Sequence, residues 1–354
     1  MKQPNYISVK KILEETPVSA SAPCRVDSGG TWDIKAMALP FENHRPVTVN
    51  MALNLRTTAH LSPFREGRIE VISEGFSKAV QCDYKDIPLK GPFAIFFAAA
   101  RFFGFHGMRI HIKSDSPVKS ALGGSSTALV ALIKALSELS RICRKKGLSK
   151  RDLLHLGYHI EDGISGGNCG MQDQAAAVYG GVNSWKWAYS NRTSCAVRKK
   201  LLDAEGMRQL SKRILVAYSG KSHVSAKMNR EWIDNFLNGK TRAGWLEVNA
   251  IVYALSSAIK KKRWQEAAGL IREEMKIRKK ITPDALIPET EKLIKTAEYL
   301  KCGARFTGAG AGGSVWALGE SDHILRLREE WKAVLDKING ASILECAIDP
   351  KGVF

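Results

Sequence analysis

The sequence predicts an α+β protein that folds as two packed domains or as one large domain. Alternating apolar and polar residues between positions 46 and 71 predict a series of strands. The apolar stretch that follows the glycines and serines at 123–126 predicts a buried helix. Positions 224–299 have a mainly helical pattern, and positions 302–318 indicate a strand, a glycine loop and a second strand. The length of 354 residues supplies enough core for either domain arrangement.

The composition is that of a globular protein with an unusual excess of positive charge. Apolar residues make up 44% of the chain and charged residues 25%, whereas the formal net charge is +19. The basic clusters at 141–146, 198–200, 260–263 and 278–280 are dispersed, as expected of solvated helix faces. Such a charge also favours anionic small ligands or non-specific contact with nucleic acid. Because no nucleic-acid-binding motif is recognisable, we predict no specific nucleic-acid partner.

The cysteines and the apolar runs predict a reduced, cytoplasmic protein. The seven cysteines are scattered and form no Cys-x-x-Cys pair, which argues against a zinc site or a disulfide framework. The N-terminus lacks the charged-then-apolar pattern of a secretory signal. The longest apolar runs, 93–105 and 128–136, are interrupted by Arg101 and Lys134, so neither is expected to cross a bilayer. We therefore expect no membrane partner.

The stretch 115–140 predicts a phosphate-binding loop at the start of a helix. Gly123 and Gly124 leave room for a ligand that a Cβ would keep away. Ser125, Ser126 and Thr127 follow where the helix should begin, so their hydroxyls can cap it while its first N–H groups face outward. Such an N-terminus suits phosphate oxygens, although an ordinary capped, buried helix would carry the same residues. No Gly-Lys-Ser/Thr follows the glycines, so the loop is not of the Walker type.

Two further stretches bring acids next to glycines. Residues 21–33 combine Arg25 in a short strand, a Gly-Gly pair and Asp33, an arrangement that suits a polar ligand and equally an ordinary surface turn. Asp173 stands in the first turn of a short helix that follows a glycine-rich loop. The helix dipole favours the ionised carboxylate there, which either accepts a hydrogen bond from a substrate hydroxyl or simply complements the dipole.

These stretches occur in the order of the motifs of the GHMP small-molecule kinases, and they resemble them. Pro117 and residues 121–126 resemble the second family motif, P-x-x-x-G-L-G-S-S-A, with Ala121 for its first glycine and Gly124 for its first serine. Residues 307–313, whose glycines form either a side-chain-free wall or a plain hairpin, resemble the third motif, K-x-S/T-G-A-G-x-G-G. The basic residues nearest to the lysine of that motif are Arg305 and Lys301.

Two motifs are similar to those of the sugar-kinase branch, which includes L-fucokinase and the D-glycero-D-manno-heptose phosphate kinases. Residues 22–33 resemble the motif A-P-x-R-V/I-x-x-x-G-G-G that precedes a Trp or Thr and an Asp. The matching positions are Ala22, Pro23, Arg25, Val26, Gly29, Gly30, Trp32 and Asp33. Residues 166–181 resemble the motif G-G-x-x-G-x-Q-D-Q-x-x-x-x-x-G-G.

The resemblance implies the two-domain GHMP kinase architecture. An N-terminal domain over residues 1–206 would resemble ribosomal protein S5, a ferredoxin-like α+β domain would span 207–354, and the active site would lie in the cleft between them. The resemblance also implies ATP and Mg²⁺ as cofactors. The implied reaction is transfer of the γ-phosphoryl group to a hydroxyl of a sugar or sugar phosphate, with the anomeric position expected. We expect a monomer or a homodimer.

The resemblance also implies a role for each matching residue. Asp173 is the expected catalytic aspartate, and Arg25 is expected to offset charge on the transferred phosphoryl group. Ser125 and Glu161 are the expected magnesium ligands. The residues expected at ATP are Pro117, Ala121, Leu122, Gly123, Gly124, Ser125, Ser126 and Thr127. The residues expected at the sugar are Trp32, Asp33, Gln172, Gly167, Lys221 and Gly310.

Two other functions remain open at this point. The first is a kinase for a non-sugar alcohol of the mevalonate or homoserine type, and Trp32, Asp33 and the Gln-Asp-Gln triplet at 172–174 argue against it. The second is a family member that has lost catalysis and acts as a binding protein. The joint presence of Ser125, Glu161 and Asp173 argues against that function.

Overall fold

The structure, a computed structural model, describes residues 6–30, 32–191, 195–222 and 225–354, with the backbone alone described at 225–227. Two mixed layers of sheet and helix confirm the α+β prediction. The strands are β1 (Ile7–Ser8), β2 (Val18–Ser28), β3 (Val47–Pro63), β4 (Arg68–Ser73), β5 (Val80–Asp83), β6 (Phe105–His106), β7 (Met108–Ser114), β8 (Val182–Trp187), β9 (Ala196–Lys200), β10 (Ile214–Tyr218), β11 (Gly303–Phe306), β12 (Ser314–Leu318) and β13 (Ser342–Leu344).

The helices pack on both sheets and link them. They are α1 (Lys10–Glu15), α2 (Lys35–Ala38), α3 (Ala94–Phe103), α4 (Gly124–Ile142), α5 (Lys150–Ser165), α6 (Gln172–Tyr179), α7 (Ala204–Ser211), α8 (Ser225–Leu237), α9 (Arg242–Lys260), α10 (Trp264–Ile281), α11 (Pro288–Tyr299) and α12 (Ser321–Leu335). Short 3-10 helices cover Leu39–His44 and Pro283–Ala285. No helix among these described residues is both long and apolar enough to cross a membrane.

The larger sheet is built around β3. Its strand order is β5-β4-β7-β3-β8-β9, and β2 pairs with β3 outside this path. The first residues of β3 pair with β8 and the last with β7, while β2 runs antiparallel along most of its length. The predicted strand series between 46 and 71 therefore corresponds to two strands, β3 and β4, and β3 is long enough to pair with three other strands. This arrangement holds β2, with Arg25, along β3.

Helix α4 is the buried helix that the sequence predicted after the glycines. It packs against β2, β3, α3, α5 and α6, and almost every residue from Ser126 to Ser140 has a buried side chain. A helix that is apolar around most of its circumference needs such cover on all sides. The backbone N–H of Arg25 donates to the carbonyl of Leu122 at 3.1 Å, which fixes the start of α4 against β2.

The smaller sheet, β11-β12-β10-β13, belongs to the C-terminal half and is antiparallel throughout. The predicted strand, glycine loop and strand at 302–318 are β11, the loop and β12. The domain boundary predicted between residues 206 and 207 falls inside α7, which lies between the last strand of the larger sheet and the first strand of the smaller one. That boundary stays a prediction.

One apolar cluster joins the two halves of the chain. Val26 and Val49 from the larger sheet pack in the same buried cluster as Val248 and Val252 of α9 and the inner residues of β10. A second cluster lies between the larger sheet and α4. Because the first cluster is shared, the relative position of the two sheets is set by ordinary core packing.

The last residues of the chain return to the larger sheet. Phe354 exchanges backbone hydrogen bonds with Ser21, and the guanidinium of Arg56 lies 4.3 Å from the centre of the Phe354 ring. Arg56 also pairs with Asp349. The carbonyl of Asp349 accepts from the N–H of Gly181 at 2.7 Å, so the tail packs directly against the turn that ends α6.

Gly180→Ala is expected to destabilise the fold by ~3 kcal/mol or more. Gly180 has φ +64° and ψ −176°, a region almost restricted to glycine, and a Cβ there would overlap the backbone of Lys351 and Gly352. Urea unfolding measures the change. The control is Gly163→Ala in the last turn of α5, where a Cβ meets nothing within 4 Å and helix propensity favours alanine. Equal stability of the two variants would contradict the close approach of the tail.

Candidate active site

A cavity of about 350 Å³ opens at the N-terminus of α4, where the two halves of the chain meet. Its walls come from β2, the loop before α4, Ser165 and residues 168–170 before α6, the start of α6, and Gly308 and Ala309 from the C-terminal half. Arg25, Asp173 and Glu161 lie at one end, and a group of aromatic side chains lies at the other. The cavity therefore has a charged end and an apolar end.

The glycine loop at 123–124 shapes the charged end. Gly123 is the N-cap of α4 with φ +77°, in the left-handed region that favours glycine, and no side chain caps the first turn. The expected capping by the following hydroxyls is therefore wrong. The Thr127 hydroxyl donates instead to the carbonyl of Gly123 at 2.8 Å, and the Ser125 hydroxyl turns to Glu161. The first N–H groups of the helix are left for a ligand in the cavity.

Ala121, which replaces a glycine of the family motif, takes a left-handed conformation with φ +62°. Its carbonyl accepts a hydrogen bond from Arg25 Nη1 at 2.7 Å. The loop is thus held in the shape that glycine would adopt freely, at some cost in backbone strain. Pro117 also lines the cavity, whereas Leu122 and Thr127 are buried behind the loop.

Arg25 and Asp173, the predicted catalytic pair, are in direct contact. Arg25 Nε donates to Asp173 Oδ1 at 2.7 Å, which joins residues 148 positions apart in the chain. A Cβ on Gly123 would lie 3.2 Å from the Asp173 carboxyl carbon, so this carboxylate rests on the glycine loop. Burial lowers the pKa of Arg25, but the Asp173 and Asp27 carboxylates outweigh it and raise the pKa. The guanidinium therefore stays charged.

Ser125 and Glu161, the predicted metal ligands, are also adjacent. The Ser125 hydroxyl donates to Glu161 Oε1 at 2.9 Å, and Gln174 Nε2 donates to Glu161 Oε2 at 2.7 Å. Desolvation raises the pKa of Glu161 against the opposing hydrogen bonds from Ser126 and Ser125. Within the described ranges no three His, Cys, Asp or Glu side chains form a metal-binding group. Mg²⁺ takes only one or two protein oxygens where phosphates and water supply the others, so these two oxygens fit it.

Asp33, in the turn between β2 and α2, lies at the same end of the cavity. Its Oδ2 accepts a hydrogen bond from the Gln172 N–H at 2.9 Å, and the residue is 2% exposed. A Cβ on Gly170 would overlap this carboxylate, which explains the glycine at that position. Burial raises the pKa of Asp33 to about 7, the Gln172 N–H opposes the shift, and the charge of Asp173 adds to it.

Four residues predicted at the sugar do not line the cavity. Trp32 is fully buried in an aromatic cluster at the junction of the two halves, where it stabilises packing behind the Gly-Gly turn. Lys221 is exposed, with Nζ 3.7 Å from a Glu289 oxygen. Gly167 lies on the surface, and a Cβ on Gly310 would overlap a carbonyl in the turn before α11. For these four the geometry supports packing or surface roles rather than the expected contact.

The apolar end of the cavity was not predicted from the sequence. Phe76, Phe93, Phe96 and Val118 line it, and the rings of Phe76 and Phe93 meet edge to face at 5.1 Å. Phe93 and Phe96 belong to an apolar run that has the same pattern as an ordinary core helix. Phe76 and Val118 remain 39% and 38% exposed, but exposure cannot be read from sequence.

Asp27 was also missed. It is fully buried, accepts from the Gly308 N–H at 2.9 Å, and pairs with Arg305. Burial raises its pKa, but Arg305 and Arg25 outweigh that effect and lower it, so the carboxylate is ionised. Its partners lie about 280 positions away, and no local pattern marks such a pair.

Comparison with known proteins places both halves of the chain in one family. Residues 93–181 match the family description "GHMP kinases N terminal domain", and residues 255–337 match "GHMP kinases C terminal". The D-glycero-alpha-D-manno-heptose 7-phosphate kinase of Campylobacter jejuni subsp. jejuni serotype O:2 is 40% identical over 83 residues. That alignment spans 23% of this chain and 23% of the relative, so most of the relative's length is not matched.

Solved structures share the fold over nearly the whole chain. The galactokinase of Lactococcus lactis, in complex with galactose, superposes with a TM-score of 0.73, 17% identity, and coverage of 98% of each chain. The mevalonate kinase of Methanococcus jannaschii superposes with a TM-score of 0.70, 20% identity, and coverage of 94% of this chain and 99% of that one. At these identities the likeness establishes the two-domain fold.

Asp33→Asn is expected to stabilise the folded protein above neutral pH and to change little in acid. Buried Asp33 keeps its proton up to about pH 7, whereas an aspartate in the unfolded chain ionises near 3.8. As the pH rises between these values the unfolded state loses the proton first, so the free energy of unfolding falls. This decrease in the free energy of unfolding approaches ~4 kcal/mol as an upper bound. The variant avoids it because its amide side chain does not ionise.

Urea unfolding at about pH 4 and about pH 8 measures this difference. Asp234→Asn, at an exposed position on α8, controls for the change in total charge. If Asp33→Asn increased the free energy of unfolding equally at both pH values, that result would contradict the raised pKa of Asp33.

Proposed function

The chain belongs to the GHMP kinase family, and we propose that it transfers the γ-phosphoryl group of ATP to a hydroxyl of a sugar or sugar phosphate, with the anomeric hydroxyl as the expected acceptor. The observation that supports this most is the 2.7 Å contact between Arg25 and Asp173 on the glycine loop. A guanidinium, a carboxylate and a helix N-terminus meet there in one cavity. Phosphoryl transfer requires positioning and charge stabilisation of this kind, with little covalent chemistry from the protein.

ATP would lie along the cavity from its apolar end to the glycine loop. Phe76, Phe93 and Phe96 offer flat apolar surfaces to an adenine ring. The uncapped N–H groups of Gly124, Ser125 and Ser126 are suited to the phosphate oxygens, since the dipole of α4 favours negative charge at that point. The two ends of the cavity thus match the two ends of a nucleotide.

Magnesium fits beside the phosphates. Ser125 and Glu161 would hold the ion, since their oxygens are already within hydrogen-bond distance of each other. When bound, the ion neutralises charge on the β- and γ-phosphate oxygens. Gln174 orients the Glu161 carboxylate toward this position through its bond to Oε2.

The acceptor would occupy the space between Asp33 and Asp173. Carboxylate oxygens accept hydrogen bonds from neighbouring hydroxyls, and Asp33 is held in place by the Gln172 N–H. Asn168 and Asn229 line the same wall, and Asn229 Nδ2 donates to the Asn168 carbonyl at 3.0 Å. A wall of carboxylates and amides favours a ligand with several hydroxyl groups.

Asp173 and Arg25 would act together at the transferred group. Asp173 orients the acceptor hydroxyl and takes its proton late in the transfer. Arg25 stays charged and offsets the negative charge on the phosphoryl oxygens. Its bonds to Asp173 and to the Ala121 carbonyl fix the guanidinium plane before substrate arrives.

A kinase screen tests the proposed reaction. ATP and Mg²⁺ are incubated with fucose, galactose, heptoses and their phosphates, and ADP release is measured. Heptose phosphates are included because the matched relative carries that name. Mevalonate and homoserine serve as non-sugar acceptors. ADP release that depends on a sugar or sugar phosphate supports the proposal. The proposal is contradicted if only a non-sugar alcohol gives ADP release, or if none of the acceptors does.

Asp173→Asn is expected to lower kcat by about a hundredfold to ten-thousandfold and to change the Kd for ATP by no more than about twofold. The amide keeps the shape of the side chain but can neither take the proton nor attract it. ADP release and calorimetric titration with ATP and Mg²⁺ measure the two quantities. Full turnover in this variant would exclude the role assigned to Asp173.

Ser125→Ala is expected to weaken the dependence of ATP binding on magnesium. The change removes one of the two protein oxygens proposed for the ion. Titrations with ATP are compared at several magnesium concentrations, and Glu161→Gln should change them in the same direction. Unaltered magnesium dependence in both variants would rule out this pair as ligands.

A further inference from the structure

A row of charged side chains with alternating sign runs from the C-terminal half of the chain to the reaction centre. Its members, here called the interdomain charge row, are in order Arg278, Glu274, Arg305, Asp27, Arg25 and Asp173. All are buried except Asp173, which is partly exposed in the cavity. The first three belong to α10 and β11, and the last three to β2 and α6. The row therefore crosses the junction between the two sheets.

Each neighbour in the row is close enough to interact. Arg305 Nε lies 3.6 Å from Glu274 Oε1, and Arg305 Nη1 lies 2.8 Å from Asp27 Oδ2. Arg25 Nη1 lies 3.7 Å from Asp27 Oδ1. Arg278 and Glu274 stand one turn apart on α10 and attract each other. The 2.7 Å bond from Arg25 to Asp173 ends the row.

Asp27 links the two halves at the centre of the row. Its carboxylate accepts from Arg305 and from the Gly308 N–H, and its backbone carbonyl accepts from Arg305 and from Trp316 Nε1. Each of these donors comes from the C-terminal half. Arg25 is two residues away on β2, so its side chain leaves the same face of the strand and faces the same carboxylate.

Glu274 holds the end of the same strand. It accepts from the Ser28 hydroxyl and from the Gly29 N–H at 3.1 Å. The strand that bears Arg25 and Asp27 is therefore fixed at its last residues by α10, and at Asp27 by β11 and the glycine loop after it.

Stability alone is a poor reason for this arrangement. Buried ion pairs often contribute no more than apolar residues of the same volume. Arg305 Nε and Nη2, and Arg278 Nη2, make no hydrogen bond among the residues that the structure describes. Each such buried donor costs about 1–3 kcal/mol. The arrangement instead has a geometric consequence. The Asp27 carboxylate lies 3.7 Å from Arg25 Nη1, the nitrogen that donates to the Ala121 carbonyl, while Arg25 Nε is held by Asp173. Asp27 therefore helps to fix one end of the guanidinium.

We propose that Asp27, Arg305 and Glu274 are positioning residues for phosphoryl transfer, because they align the Arg25 guanidinium with Asp173 from the C-terminal half of the chain. This inference rests on the proposed function. None of the three lines the cavity, so each acts through Arg25. The reaction centre, although formed by residues 25 and 173, is complete only when α10 and β11 are docked.

The test compares Asp27→Asn and Arg305→Met with a matched control, Asp349→Asn. The control breaks the largely buried pair between Arg56 and Asp349, which also links the C-terminal end of the chain to the larger sheet but lies outside the cavity wall. Three quantities are measured: thermal stability, kcat with KM for ATP, and the ¹⁵N–¹H signal of the Arg25 Nε–H. The signal is assigned by its loss in Arg25→Lys.

The expected result separates the two groups of variants. Asp27→Asn and Arg305→Met shift or broaden the Arg25 signal and lower kcat by about tenfold or more, with KM for ATP changed by no more than about twofold. Asp349→Asn lowers stability but leaves both the signal and kcat unchanged. Arg305→Lys, which keeps the charge, recovers part of kcat relative to Arg305→Met.

Two results would overturn the inference: an unchanged Arg25 signal in Asp27→Asn, or a loss of kcat in Asp349→Asn as large as that in Asp27→Asn. If Arg305→Met does not fold, Asp27→Asn decides, since it preserves the side-chain shape. If the unaltered protein phosphorylates no acceptor, the proposed function fails. The Arg25 signal needs no turnover, so it still decides whether the row positions this guanidinium.

Discussion

The structure depends on the contact of β2, the loop before α4 and the start of α6 at a single point. Arg25, Gly123 and Asp173 meet there, and the backbone of Arg25 is bonded to the carbonyl next to Gly123. A side chain at position 123 would press against the Asp173 carboxylate, and its left-handed backbone would be strained. The same glycine that leaves the helix N-terminus open thus lets the carboxylate approach it.

The carboxylates around the cavity differ because their neighbours differ. Asp27 has two guanidinium groups beside it, which lower its pKa despite complete burial. At Asp33 backbone N–H groups oppose the shift, but burial and the nearby charge of Asp173 outweigh them, and its pKa rises to about 7. The pKa of Glu161 is also raised, mainly by burial. The charged end of the cavity therefore holds carboxylates that gain from hydroxyl donors or a cation, as the proposed acceptor and magnesium ion would supply.

The sequence was sufficient to predict the residues whose position is set by local backbone conformation. Gly123, Ser125 and Asp173 lie at helix starts, and glycine loops and helix starts have recognisable local patterns. Trp32 was assigned to the sugar because it stands in a motif, but an aromatic residue next to glycines can turn either to a ligand or to the core. Its packing against Phe236 and Trp245, more than 200 positions away, decides in favour of the core.

The apolar end of the cavity and the role of Asp27 also depend on contacts between distant segments, which the sequence does not reveal. Phe93 and Phe96 follow a helix pattern that would be identical if their outer faces were covered by protein. The partners of Asp27 are set by how the two halves dock, and docking leaves no periodic signal in either half. What sequence reasoning could not reach was therefore the set of side chains whose role depends on a surface formed by distant segments.

The junction between the halves combines two kinds of contact that act differently. The apolar cluster that includes Val26, Val49 and Val252 would stabilise any well-packed arrangement of the two halves, since the hydrophobic effect has no direction. The interdomain charge row has direction, because a shift of β2 by one residue would turn Arg25 and Asp27 to the opposite face of the strand and leave Arg305 and Glu274 unpaired in the interior. The apolar contacts thus hold the halves together, while the charges select the one register in which Arg25 reaches Asp173.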